Sequence, residues 1–375
     1  MTTAWRASIR VAMPAPAGSA DRIAFAKNWT VPNIDIPTGI VSRNRISRRR
    51  RHTCFQVHPY QLLFDGPLQE GHTAMRLEHL VTEQPNGQSA NLDALGIGEA
   101  LALMNREDAR VASCVARALP AIAPAVAAIA DALRAGGRLI YIGAGNSGRI
   151  GYLDALECQP TFGTRPGDIV GIVAGGFAGI NESAEDSDAL GRRDLEAIGL
   201  TRNDVVVGLT ASGRTPYVIG ALRHARDTRC RTVCVACNVG SEAGKLSDVA
   251  IEVDCGPEVL TGSTRLKAGT AQKMICNMLS TISMVALGKT YGNLMVDVQA
   301  HNHKLRQRAI RIVSQAARVP PDAAERALEQ AGNRPRIAIL MLVAGIDRAG
   351  AERLAGAAGG SIRKALASLP QTGPA

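Results

Sequence analysis

The chain has 375 residues, of which 46% are hydrophobic and 3% aromatic, and it carries a formal net charge of +10 at pH 7. No uninterrupted apolar run approaches the about 18 residues of a membrane span, so the composition is typical of a soluble α/β protein. The first 74 residues hold ten Lys/Arg and four Asp/Glu, whereas the other residues hold 33 and 29. The body of the chain is therefore nearly neutral, which predicts no nucleic acid or membrane partner.

Residues 1–74 differ from the rest of the chain in composition and hydrophobic pattern. They contain six prolines and the basic run Arg48–Arg51, and they show no sustained hydrophobic period. This pattern predicts a disordered segment. A basic arm and a targeting segment are two functional interpretations, and a dispensable extension preceding a start at Met75 is the third.

Helical patterns begin after Leu77. Apolar residues predict helices around 92–104 and over 111–133, and Gly136-Gly137 should close the second one. Short β-rich runs and helical stretches then alternate, the β-rich runs covering residues 138–142, 169–173, 205–209, 232–236 and 249–253. Such alternation predicts an α/β fold with a doubly wound, five-stranded parallel sheet preceded by N-terminal helices.

Helical patterns continue to the end of the chain. A long helix is predicted from about 263 to 287, and a basic amphipathic helix over 302–313. Beyond Pro320-Pro321, three short Ala/Leu-rich helical segments run to Leu369. We therefore predict a sheet domain over residues 75–313 and a small helical domain over residues 320–370.

The segment 143–149, GAGNSGR, follows the first predicted strand and opens a helix. Glycines there expose backbone N–H groups at a helix start, an arrangement that favours a bound phosphate. Glu157 follows eight residues after Arg149, and we expect it to lie within reach of the same cleft; a solvated glutamate near the helix end is the alternative. The spacing also matches the dinucleotide fingerprint, but the second strand ends in VAGG without the acidic residue that binds ribose.

A second hydroxyl-rich turn, TASGRTP, follows the third predicted strand at residues 210–216. Two such loops at neighbouring strand ends can bind one phosphate through Ser147, Ser212 and Thr215, with charge from Arg149 or Arg214. Each serine alone could instead be a helix N-cap.

Further charged and hydroxyl groups follow other strands. The acidic residues Glu182, Glu185 and Asp186 follow the second strand, where they could transfer protons or simply occupy a first helical turn. Residues 261–270, TGSTRLKAGT, place hydroxyls and cations at another helix start, which suits a sugar with an anionic group or a capped helix.

The cysteines indicate packing rather than chemistry. There are eight, scattered in apolar surroundings, which is typical of a reducing cytoplasm. Cys234 and Cys237 have C-x-x-C spacing but lie in a strand-like run without a second pair, so we predict a core role and no metal site.

Five segments together resemble the N-acetylmuramic acid 6-phosphate etherases of the sugar isomerase domain superfamily. They are residues 138–147, 157–163, 211–217, 261–273 and 291–298, and the resemblance runs from about Leu80 to the C-terminal end. It implies cytoplasmic cleavage of the D-lactyl ether by elimination and hydration, giving N-acetylglucosamine 6-phosphate and D-lactate, in cell-wall sugar recycling. It implies no metal or organic cofactor, and it implies a homodimer whose sites are completed across the interface.

The resemblance also assigns roles to residues. Glu157 matches the proton donor for the departing ether oxygen, and Glu185 matches a second catalytic glutamate, a candidate base at C2. The predicted substrate-binding and phosphate-binding residues are Gly145, Asn146, Ser147, Ser212, Gly213, Arg214, Thr215, Ser263 and Lys267.

The chain departs from the family pattern at a few positions. Asn146 replaces a usual threonine, Gln159 a usual proline and Ser183 a usual glycine. The segment 175–182 is about three residues shorter than usual, which affects the placement of Glu185. Two other functions remain open: a sugar-phosphate sensor that regulates a partner protein, and a sugar-phosphate isomerase that releases no lactate.

Overall fold

A computed structural model describes residues 79–177, 182–299 and 303–370. These residues lie within one compact unit, Gly71–Ala375. The expectations for residues 1–74 fall outside the described residues.

The centre of the fold is a parallel sheet of five strands in the order β2-β1-β3-β4-β5. The strands are β1 (Leu139–Gly143), β2 (Ile169–Val173), β3 (Val205–Thr210), β4 (Arg231–Ala236) and β5 (Val249–Glu252). Every residue of β1 and β3 is buried, because helices cover both faces of the sheet and the strands are apolar throughout. The five strand predictions and the α/β fold class are confirmed.

Helices cover the two faces of the sheet in separate layers. These helices are α1 (Ile97–Asp108), α2 (Val111–Arg134), α3 (Gly145–Phe162), α4 (Glu182–Glu185), α5 (Asp188–Ala197), α6 (Pro216–Asp227), α7 (Glu242–Lys245) and α8 (Lys267–Ala286). Leu139 and Tyr141 pack in one core with α2, α3 and α8, whereas Ile140 and Ile142 pack in another with α5 and α6. The sheet is thus doubly wound, as predicted.

The helical stretch Ile97–Arg134, which comprises α1 and α2, is long and apolar enough to cross a membrane by length and composition. One such stretch is weak evidence, since core helices pass the same test. Val115, Ala125 and Ile129 are fully buried in the core that α2 shares with α8. Packing therefore accounts for the apolar composition of α2.

The C-terminal part has a hydrophobic core of its own. It follows a short hairpin, β6 (Thr290–Tyr291) with β7 (Leu294–Met295), and comprises α9 (His303–Ala317), α10 (Pro321–Gln330), α11 (Pro335–Ala344), α12 (Arg348–Ala357) and α13 (Ile362–Ala367). Four helices follow Pro320 in the described residues, so the prediction of three was wrong. Gly345, at φ +64°, ends α11 and Asp347 caps α12, so these two helices are separate.

Candidate functional site

The two hydroxyl-rich loops lie side by side at the carboxyl edge of the sheet. β1 and β3 are hydrogen-bonded neighbours with Gly143 opposite Leu209, so the loops that follow them leave the sheet together. A Cβ on Gly148 would lie 2.3 Å from the carbonyl oxygen of Gly143. The glycine spacing is therefore required by the tight turn between β1 and α3.

The serines of these loops are not helix N-caps. Ala144 is the N-cap of α3 and Thr215 that of α6, and within the described chain neither side chain makes a capping hydrogen bond. By contrast, Ser187 caps α5 by accepting from a backbone N–H. The simpler interpretation of Ser147 and Ser212 is thus wrong, and two helix starts face this edge of the sheet without a side-chain cap.

The second loop is fixed by a cluster of hydroxyl groups. The Oγ1 atoms of Thr210 and Thr215 lie 2.9 Å apart, and the Gly213 N–H donates to Thr210 Oγ1 over 3.1 Å. The backbone N–H of Arg214 donates to Ser212 Oγ over 3.2 Å. These bonds hold the loop in one geometry, with Gly213 at a left-handed φ of +75°.

Glu185 lies between the two loops. Thr215 Oγ1 donates to Glu185 Oε1 over 3.3 Å, and Glu185 Oε2 lies 4.0 Å from the position of a Cβ on Gly145. The side chain is exposed, at the end of the short helix α4. The structure therefore brings this predicted carboxylate to both predicted phosphate loops.

The start of α8 joins the first loop through Asn146. The Asn146 Nδ2 atom lies 2.8 Å from the position of a Cβ on Gly269, in the first turn of α8. The Gly269 N–H donates to the carbonyl of Thr264 over 2.9 Å, so the segment that holds the half-buried Ser263 is tied to the first turn of α8.

Lys267 is placed differently from the other predicted binding residues. Its side chain is fully buried, and its Nζ donates to Glu107 Oε2 over 2.6 Å. Burial alone would raise the pKa of Glu107, but hydrogen bonds from Lys267, Asn86 and Arg110 outweigh it and lower that pKa. The Lys267 charge is thus compensated within the chain, and it contributes no substrate contact to the function proposed below.

Sequence reasoning missed Asn238, which ties the N-terminal segment to the second loop. Its Nδ2 donates to the Ala211 carbonyl over 3.0 Å and to Thr82 Oγ1 over 3.1 Å, and its Oδ1 accepts from the Val81 N–H over 2.8 Å. Its position two residues after β4, at the carboxyl edge of a parallel sheet, is the signal that could have found it.

A cavity of about 570 Å³ opens beside the second loop. Its lining includes Ser212 and Asn238, the cations Arg214 and Lys245, and the carboxylates Glu242 and Asp254. Hydroxyl, amide and charged groups of both signs beside a hydroxyl-rich loop suit a polar ligand such as a sugar derivative.

Glu157 lies far from these groups within one chain. Helix α3 is continuous from Gly145 to Phe162, so Glu157, twelve positions after Gly145, lies about 18 Å along the helix from it at 1.5 Å per residue. The expectation that Glu157 shares the cleft is therefore wrong for a single chain. Glu157 is exposed, and beside it on α3 Leu153 and Leu156 are 52% and 55% exposed.

The cysteines behave as packing residues. Cys234 and Cys237 are both buried, and burial raises the pKa of the Cys234 thiol to about 12. The predicted core role is confirmed. Among the described residues, no group of three His, Cys, Asp or Glu side chains is arranged to hold a metal ion.

A parallel sheet with two hydroxyl-rich loops at its carboxyl edge defines a class, the sugar isomerase domain. Residues 187–282 match the model of that domain, and residues 121–226 match the N-terminal sugar isomerase domain of glucokinase regulatory protein.

Three relatives narrow the class to one family. N-acetylmuramic acid 6-phosphate etherases from Burkholderia lata, Rubrobacter xylanophilus and Mycolicibacterium smegmatis are 86%, 53% and 55% identical to this chain. The alignments cover 79%, 78% and 78% of this chain and 98%, 97% and 99% of the relatives. The chain belongs to the N-acetylmuramic acid 6-phosphate etherase family, and the resemblance found in its sequence is confirmed.

Proposed function

We propose that this chain acts in the cytoplasm as a carbon–oxygen lyase that cleaves the D-lactyl ether of N-acetylmuramic acid 6-phosphate. The products are N-acetylglucosamine 6-phosphate and D-lactate, and the reaction serves cell-wall amino-sugar recycling. The observation that carries the proposal is the position of Glu185, whose carboxylate accepts a hydrogen bond from Thr215 between the two loops.

The loops bind the phosphate in this proposal. Ser147 and Ser212 donate hydroxyl hydrogen bonds to it, whereas the Thr215 hydroxyl donates to Glu185. The backbone N–H groups at the starts of α3 and α6 add the favourable field of two helix N-termini. Gly145, Asn146, Gly213, Arg214 and Ser263 complete the contacts around the sugar phosphate.

Glu185 is the base. With the phosphate bound between the loops, the open-chain sugar extends past Glu185, which is bonded to the second loop and lies beside the first, so the carboxylate can take the proton at C2. That proton is acidified by the neighbouring aldehyde. Glu185 later returns it to C2 when water has added.

Glu157 is the acid, and a second copy of the chain supplies it. The roughly 18 Å of helix between Gly145 and Glu157 exceeds the span of the substrate, so one chain cannot present both carboxylates to it. The exposed Leu153 and Leu156 flank Glu157 and provide the apolar surface that a second copy would cover. We therefore propose a homodimer with sites made from both chains.

The proton balance closes over the two steps. In elimination, Glu185 takes the C2 proton while Glu157 protonates the ether oxygen, so the C3–O bond breaks and lactate leaves. In hydration, the now ionised Glu157 takes a proton from water as it adds to C3, and Glu185 returns its proton to C2. Both carboxyl groups end as they began.

Lactate release tests the reaction itself. The protein is incubated with N-acetylmuramic acid 6-phosphate and D-lactate is measured; we expect stoichiometric release with N-acetylglucosamine 6-phosphate. Aldose–ketose interconversion without lactate would identify an isomerase instead, and binding without turnover would identify a sensor.

Complementation between variants tests the shared site. The variants Glu157→Gln and Ser212→Ala are expressed separately, where we expect each to be inactive. The two are then co-expressed at equal levels. In a two-fold dimer half of the molecules are mixed and each has one intact site, so we expect about one quarter of the wild-type activity.

A matched pair supplies the control. Ser212→Ala with Glu185→Gln places both defects in the same half of the site, so co-expression should restore no activity. Absence of recovery in the Glu157→Gln pair, with mixed dimers present, would show that Glu157 does not act across the interface.

A further inference from the structure

Four arginines surround one small cavity at the amino edge of the sheet, opposite the substrate loops. Its volume is about 430 Å³, and its lining residues are Arg202, Arg226, Arg229, Cys230, Arg231 and Asp248. They come from the segment before β3, the end of α6, the start of β4 and the segment before β5. The fold therefore places four arginines from separate elements around one cavity, and all four are exposed to solvent.

These charges are not balanced by the residues that the structure describes. In that part of the chain, Arg202, Arg226 and Arg229 make no hydrogen bond or ion pair through their side chains, and Arg231 reaches Asp248 at 3.9 Å. Asp248 is also engaged by Thr232, whose backbone N–H and hydroxyl donate to its Oδ2 over 2.8 and 3.1 Å. One carboxylate thus faces four cations.

The backbone at Arg229 is strained as well. Arg229 has φ +62° at the end of α6, where the Cys230 N–H donates to the Ala225 carbonyl over 2.9 Å. This left-handed position usually holds glycine, because a side chain there costs energy. The negative C-terminal end of the α6 dipole favours a cation such as Arg226 there. It does not explain the strained backbone of Arg229 or the arginines that come from other elements.

We propose that this cavity binds a small polyphosphate anion, independently of the substrate site. Guanidinium groups form paired hydrogen bonds with phosphate oxygens, and a net charge of +3 in the cavity matches an anion with several negative charges. The lining residues contain no aromatic ring for a base to stack on, so the phosphates are the recognised part.

Inorganic pyrophosphate is the probe, measured by calorimetry and by thermal unfolding. In Arg226→Ala combined with Arg229→Gly, we expect binding at least about tenfold weaker than in the wild-type protein, since each arginine contributes charge-assisted hydrogen bonds. Ser212→Ala should keep the pyrophosphate response, because that substitution affects only the substrate loops. Sodium sulfate at equal ionic strength should stabilise the protein less than pyrophosphate does.

The single variant Arg229→Gly sharpens the test. Without pyrophosphate it should melt about 2 °C higher than the wild-type protein, because glycine relieves the strain, yet it should gain less on adding pyrophosphate. Arg318→Gly is the matched control: Arg318 also has positive φ, +56°, but it lies outside the cavity, so it should gain stability and keep the full pyrophosphate response.

The proposal is overturned if pyrophosphate stabilises the doubly substituted protein as much as the wild-type protein, or if sulfate has the same effect. It is equally overturned if Ser212→Ala abolishes the response, because the anion would then occupy the substrate loops. Lactate release plays no part in these measurements, so the proposal stands or falls separately from the etherase reaction.

Discussion

The two halves of helix α3 both pack against the chain, but they differ in how closely they approach the sheet and in what they expose. In the first half, Ser147, Gly148 and Gly151 are buried, and the glycines lie directly against β1 and β3. In the second half, Leu156 and Glu157 are exposed. The first half, called the packed half below, places its glycines against the sheet. The second half packs through one face, with Asp154, Cys158 and Phe162 buried, and presents apolar and acidic groups outward on the other.

This difference separates positions that set the geometry of the phosphate loop within one chain from positions that we propose contribute to the site of a second copy. Glycines in the first half let α3 approach the sheet and set the geometry of the phosphate loop. Exposed groups in the second half have no such structural task within one chain, which is why we propose that a second copy covers them. Substitutions in the two halves should therefore fail in different ways.

The largest effect is expected from Glu157→Gln. The amide cannot protonate the departing ether oxygen, so turnover should fall by about 10²–10⁴-fold, the usual contribution of a general acid. Because Glu157 is exposed and about 18 Å along the helix from the loop, stability and phosphate binding should not change.

Lactate release and calorimetric binding of N-acetylglucosamine 6-phosphate check this prediction together. Turnover at the wild-type rate would remove Glu157 from the mechanism. Loss of product binding alongside turnover would show that the second half of α3 also shapes the loop.

Leu156→Asp should separate the two copies. A charge placed on an apolar interface is costly to desolvate, so the dimer should dissociate and turnover should fall at least about tenfold at micromolar protein. Light scattering gives the mass, and lactate release gives the activity. Recovery of activity at higher protein concentration would show that association, not local damage, is the cause; a fully active dimer would contradict the interface.

Helix α3 also shows what the sequence could predict. Its start was predictable, because a glycine turn after an apolar strand fixes where a helix begins. Its end was not: a proline commonly breaks a helix, yet α3 continues through Pro160 to Phe162 and ends at Gly163, with φ +60°. Pro160 removes one backbone donor near the end of the helix, too little to stop it.

The sequence pattern also did not predict the distance between Glu157 and the first loop. Sequence proximity suggested a shared cleft, whereas a continuous helix carries the side chain away at 1.5 Å per residue. The partners of Lys267 were similarly hidden, because Glu107 is 160 residues away in the chain. Contacts of that separation depend on how helices pack, which no local spacing encodes.

Gly148→Ala should disturb the packed half of α3. The added Cβ would lie 2.3 Å from the Gly143 carbonyl oxygen, so the backbone must shift, at a cost of about 3 kcal/mol. Urea unfolding measures this loss. Gly98→Ala is the matched control, since no atom lies within 4 Å of the new Cβ and α1 should gain slightly; equal stability changes at the two sites would contradict the close packing of α3.

The smallest effect is expected from Asn146→Thr, which restores the hydroxyl usual in the family. The Asn146 amide nitrogen already points towards Gly269 at the start of α8, so it can donate where a threonine hydroxyl would, and the exchange keeps the turn. The Michaelis constant for N-acetylmuramic acid 6-phosphate should change less than about threefold, within one ordinary hydrogen bond. A change above about tenfold would mean that the amide makes a substrate contact that a hydroxyl cannot replace, and the packed half of α3 would then share in specificity as well as in architecture.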